Sequence, residues 1–133
     1  MGAGTLQVGG TLELTEAAQG SIEEGTLELD EGSLVLNDLL VSDGGTLAGT
    51  GSVVGNIFVQ EGGVVGPGFS PGKIEILGDM ISGGGVLEID IGGTELGSFD
   101  QLIVGGTADL SDFDLTINFI DDFLPVTGNI IDF

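Results

Sequence analysis

The sequence predicts an all-β fold, a parallel β-helix or β-solenoid of about six coils, each of roughly 20 residues, with an atypical C-terminal segment. Three observations predict it. A short Gly-[Thr/Ser]-Leu-x-[Leu/Val] unit recurs along the chain. Within each copy, apolar and polar positions alternate, the mark of a half-buried strand. Glycine supplies 27 of 133 residues against a usual share of about 7%, while proline supplies only 3, so the strands are short and the corners tight.

The unit appears as GTLQV at Gly4, GTLEL at Gly10 and Gly25, and GSLVL at Gly32. Looser copies follow as GTLAG at Gly45, GSVVG at Gly51, GVLEI at Gly85 and GTADL at Gly106. Six starts, Gly4, Gly25, Gly45, Gly63, Gly85 and Gly106, lie 21, 20, 18, 22 and 21 residues apart. Two residues after each start stand Leu6, Leu27, Leu47, Val65, Leu87 and Ala108, which form the first core column. A second strand follows in most units, as in Leu12-Glu13-Leu14, Leu34-Val35-Leu36, Val53-Val54 and Ile74-Glu75-Ile76. A third apolar patch closes several units: Leu39-Leu40-Val41, Ile57-Phe58-Val59, Met80-Ile81 and Leu102-Ile103-Val104. One such coil cannot bury its own inward side chains. Stacked about 4.8 Å apart, successive coils form aliphatic ladders and pair each other's backbone groups. An antiparallel sandwich of the same short strands is the competing architecture. High glycine content and the lack of a 3.6-residue period argue against helix. Residues 1–112 hold the solenoid repeats, and 113–133 form a C-terminal β segment of the same domain.

Charge and composition remove most chemistry. With 22 acidic residues against one Lys, the formal net charge is -21, which repels nucleic acid and anionic membrane surfaces. The acidity serves either solubility, by keeping strand-rich faces from sticking, or divalent cation binding. The absence of His and Cys removes Ser–His–Asp, Cys–His, thiolate and imidazole sites, and no disulfide framework exists. The single basic residue, Lys73, reads as a solvated loop lysine beside a Pro-Gly stretch. Carboxylate pairs can hydrolyse glycosides in principle, but nothing sets Asp109, Asp112 and Asp114, or Asp121 and Asp122, apart from the general acidity. The chain is therefore read as having no enzymatic activity and no cofactor, with Asp109, Asp112, Asp114, Asp121 and Asp122 as the calcium-ligand candidates. Neither the nonapeptide calcium repeat nor an EF-hand loop occurs. The loop Gly66-Pro67-Gly68-Phe69-Ser70-Pro71-Gly72 lacks the Gly-Lys-Ser/Thr ending of a phosphate loop and reads as a rigid bulge leaving the coil. Met1-Gly2-Ala3 does not open a signal peptide, and no apolar run spans a bilayer, so the chain reads as a mature form or a fragment.

Between residues 45 and 110, GTLAGTGSVVGN, GGVVGPGFSPGKIEILGDM, GGGVLEIDIGG and FDQLIVGGTADL stand in that order. This half of the chain resembles the C-terminal part of bacterial autotransporter passenger domains and related β-strand-repeat proteins of bacterial surfaces. The resemblance implies a right-handed parallel β-helix, secretion to the extracellular space or the cell surface, and roles in adhesion, biofilm matrix or display. It carries over no catalytic residue. The outer-membrane barrel of that family does not follow residue 133 in this sequence, and neither a membrane anchor nor a sorting tail is visible.

A solenoid offers open backbone rims at both ends. The chain is either a slice of a longer solenoid or a subunit whose ends pair head to tail with copies of itself, a heterologous contact that builds fibres. From Phe113 the repeat changes, and Asp114-Leu115-Thr116-Ile117-Asn118-Phe119 alternates cleanly. Four of the seven Phe, Phe113, Phe119, Phe123 and Phe133, cluster here. The segment is either a plug on the core or a strand that joins a neighbour's edge. The self-association candidates are Phe113, Leu115, Ile117, Phe119, Phe123 and Phe133. The expected partner is the chain itself, with cell-surface carbohydrate or a partner surface as the alternative.

Overall fold

A computed structural model describes residues 5–13, 19–67, 72–95 and 97–128. Among these the structure is all β, with no helix. The strands are β1 (Thr5–Val8), β2 (Thr11–Glu13), β3 (Gln19–Glu23), β4 (Thr26–Ser42), β5 (Thr46–Gln60), β6 (Val64–Pro67), β7 (Lys73–Ile76), β8 (Met80–Gly83), β9 (Val86–Ile91), β10 (Gln101–Val104), β11 (Ala108–Asp109) and β12 (Asp114–Phe119). Every pairing between strands is parallel, which rules out the antiparallel sandwich.

The register gives the chain three sides. Side one stacks β1, β4, β5, β6, β9 and β12. Side two pairs β2 with β4, β5 with β7 and β7 with β10; side three pairs β3 with β4, β5 with β8 and β8 with β11. The long strands β4 and β5 each run through all three sides, bending where their register shifts at Asp30/Gly32 and Val35/Asp38. Glu31, at the first bend, sits at φ 56, the left-handed conformation of a bulged extra residue.

The alternation predicted from sequence sets the core. On side one, Leu6, Leu27, Leu47, Val65, Leu87 and Leu115 form one column. On side two, Leu12, Leu34, Val53, Ile76 and Val104 stack. On side three, Leu39, Ile57, Met80 and Ala108 do. Within these columns Leu47, Val53, Val65, Ile57, Ile76 and Met80 are fully buried. Each such burial contributes about 1.5–3 kcal/mol.

The Gly-Thr-Leu motif has a local reason. At the corner entering β5, the Gly45 N–H donates to the Ser42 carbonyl (2.8 Å), and a Cβ on Gly45 would collide with the Ile22 carbonyl one coil below. The coil therefore closes tightly only with glycine there. A polar ladder holds another corner. Asn56 Nδ2 donates to Asp38 Oδ1 (3.1 Å), the Asp79 N–H donates to Asn56 Oδ1 (2.9 Å), and the Thr107 N–H donates to Asp79 Oδ1 (2.8 Å). Asn56 thus ties three successive coils. Asn56→Ala is expected to cost about 1–3 kcal/mol by leaving its partners unmet, read as a lower urea midpoint with unchanged far-ultraviolet circular dichroism.

The sequence reading fails in the fifth turn. GTADL at Gly106 does not start a sixth coil: Ala108 pairs with Met80 on side three, and the sixth residue of the first column is Leu115. The step from Leu87 to Leu115 is 115 − 87 = 28 residues, against the 21 predicted. Leu102-Ile103-Val104 is likewise a second-side strand on β7, not a third-side patch. The cause is an excursion between β9 and β10, closed by an Ile91–Phe99 bridge and by the Gly92 N–H donating to the Ser98 carbonyl (2.6 Å). Six coils is accordingly more than the structure shows, since among the described residues the last rung has only β12 and lacks its other two sides. The core of the bulge predicted at the Pro-Gly loop, residues 68–71, lies outside the described residues.

Candidate self-association surface

The C-terminal end of the solenoid is a stepped apolar rim. Side one ends on β12, while sides two and three end one rung lower on β10 and β11. Because the side chains of β12 alternate, Leu115, Ile117 and Phe119 point along the columns of Leu87, Ile89 and Ile91. Those lower residues are at most 4% exposed, whereas Leu115, Ile117 and Phe119 are 49%, 41% and 53% exposed. Among the described residues no strand pairs with the outer edge of β12. Beside them open two recesses, of about 310 Å³ and 250 Å³, lined by Leu87, Leu102, Val104, Ala108, Leu110, Phe113 and Leu115.

Part of the end is closed by the chain itself. Phe113 and Phe123 are half-buried against the core, and the Phe123 ring packs 6.1 Å from that of Phe119 at 54°. Asp121 and Asp122, both in the left-handed conformation (φ 55 and 57), turn the chain back after β12. The plug predicted for this segment is seen in part of it. Phe113 and Phe123 cover core, while Leu115, Ile117 and Phe119 stay open. Phe133 lies outside the described residues. Sequence reasoning missed Leu110, half exposed at the mouth of both recesses. Its signal was present as the last residue of GTADL, which was assigned to the wrong side.

The calcium-ligand candidates are spread over this end. Asp109 ends β11, Asp112 lies in the turn after it, Asp114 opens β12, and Asp121 and Asp122 follow β12. Asp109 Oδ1 accepts from the Ser111 hydroxyl (2.8 Å) and N–H (3.1 Å), which holds its carboxyl below the ordinary aspartate range. Among the described residues no three such groups come together as a metal cage.

A third recess, polar and of about 460 Å³, lies at the corner between sides one and two, lined by Asp30, Glu31, Thr50, Gly72, Lys73, Gly97, Phe99 and Gln101. Lys73 is exposed there, at the head of β7. Behind it, Asp100 is 1% exposed and accepts from the Gly72 N–H (2.8 Å) and the Asp90 N–H (2.8 Å). One carboxylate thus clamps Gly72, just before β7, and the end of β9. Burial pushes the Asp100 carboxyl above its ordinary value; the two N–H bonds pull the other way, and the negative charges of Asp90 and Glu88 add to the rise. No protein-family model matches this chain, and neither a curated protein nor a solved structure matches it significantly.

Proposed function

We propose that this chain is a non-catalytic, extracellular structural subunit, a β-solenoid that self-associates head to tail into fibres or a surface or biofilm matrix. The observation that carries this reading is the open apolar rim at the C-terminal end, with Leu110, Leu115, Ile117 and Phe119 each more than 40% exposed in one contiguous place. Exposed apolar patches on otherwise charged proteins mark interaction sites. The resemblance of residues 45–110 to autotransporter passengers supports secretion and surface location. It also supports a right-handed winding, the sense that parallel crossovers nearly always take. A sequence with one Lys and neither His nor Cys supports the absence of catalysis. The polar corner recess around Lys73 favours a second reading, a surface adhesin segment that grips carbohydrate or a partner surface there.

Assembly has to overcome the repulsion of -21 charges per subunit, which acts over about 8–10 Å at moderate salt. Added salt, calcium or acid is therefore expected to shift the chain from monomer to polymer in sedimentation velocity and electron micrographs. Ile117→Asp is expected to hold it monomeric under the same conditions with unchanged circular dichroism. A chain that stays monomeric under all of them overturns the proposal.

A further inference from the structure

We infer that the free edge of β12 takes β1 of a second copy as a parallel strand, with Leu6 of the incoming copy over Leu115 and its Val8 over Ile117. This rests on the head-to-tail reading and adds the strand and the register. Side one already makes the same kind of contact five times, between its six successive strands, and β1 and β12 are the two ends of that path. The column running from Leu6 to Leu115 is continuous through every pairing. Its interior members are at most 4% exposed, while Leu6 and Leu115 are 44% and 49% exposed, each lacking one column neighbour among the described residues. Placing one end on the other repeats an interface the chain already builds and covers both leucines.

Charge favours these two strands. Free edges are usually blunted with charges or proline, yet β1 reads Thr-Leu-Gln-Val and carries neither. β12, Asp-Leu-Thr-Ile-Asn-Phe, carries one charge, Asp114, which in this register meets Thr5. Gln7 meets Thr116, so no carboxylate faces another across the junction even though each subunit is a polyanion. Because β12 stands one rung above β10 and β11, the junction is one strand wide. It buries less than the ~1,200 Å² of a stable complex and dissociates on dilution.

The chain has no cysteine, so a cross-link reads the register directly. Gln7 and Thr116 are exposed and stand on opposite rims, five strand spacings or about 24 Å apart within one copy, beyond disulfide reach. Across the inferred junction they lie one strand spacing apart, about 4.8 Å, within reach. Under assembly conditions with mild oxidant, the Gln7→Cys/Thr116→Cys chain should give a ladder of dimers, trimers and longer species on a non-reducing gel. Gln7→Cys/Asn118→Cys, shifted by two residues, should give at least tenfold less, and each single variant no more than dimers. Polymers in micrographs without preferential cross-linking of the first pair would overturn this register and leave head-to-tail association standing. Absence of polymers at any salt or pH would overturn both.

Discussion

Gly49→Ala is expected to cost about 3 kcal/mol or more, enough to unfold a marginal domain, while Gly10→Ala changes stability by no more than about 1 kcal/mol. Gly49 occupies an inward position of side one, directly over the fully buried Leu29. Its φ is 99, a conformation L-residues rarely adopt, and a Cβ there would collide with the Leu29 carbonyl. Both objections act together. Relaxing the backbone toward an ordinary φ breaks its hydrogen bonds with the coil below, and keeping it drives the methyl into that coil. Gly10 meets nothing within 4 Å of an added Cβ. The two variants add the same methyl group, so urea midpoints compared side by side isolate the close approach and the positive φ at Gly49. Equal midpoints would mean that the coils do not pack as closely as their register requires.

The comparison also shows what the sequence can carry. Columns through Leu27, Leu47, Val65 and Leu87 were legible because period-two alternation sets which side chains turn inward, and regular glycine corners set the spacing. The apolar rim was legible in outline, since Leu115, Ile117 and Phe119 alternate where the Gly-[Thr/Ser]-Leu pattern has changed. The side on which a motif falls was not legible. GTADL copies GTLEL closely, but five residues encode a strand and a corner, not a position around the coil. Only the excursion from Gly92 to Asp100, which lengthens one turn, moves it to side three. Asp100 itself was hidden for a different reason. Among 22 acidic residues nothing local distinguishes it, apart from its place between Phe99 and the apolar alternation of β10. Its role depends on Gly72 and Asp90, which lie 28 and 10 residues away.

Acid is expected to stabilise this protein, and Asp100 to be one cause. The Asp100 carboxyl is raised by burial above the ordinary aspartate value of 3.8. A group raised in the folded state binds its proton more tightly there than in the unfolded chain. Its contribution to stability is therefore fully present below pH 3.8 and is lost as pH rises through the folded value. Most native carboxylates behave in the opposite way, as does Asp109, whose contribution is present above 3.8 and fades as pH falls. Asp109 is fully exposed, so screening leaves Asp100 dominant. Relief of repulsion among 22 acidic side chains acts in the same direction as the solution approaches the isoelectric point near 4.1. Calorimetric melting at constant ionic strength, with protein dilute enough to stay monomeric, should show a Tm that falls as pH rises from 3.8 to 7.5. Asp100→Asn separates the two causes. The amide keeps one acceptor oxygen for two backbone N–H groups, so the variant should be less stable at pH 7.5 by about 1–3 kcal/mol. Its Tm should also rise less on acidification than that of the native chain, because only the general repulsion remains to be relieved. A variant whose pH slope matches the native one would assign the whole effect to surface charge and remove Asp100 from the account.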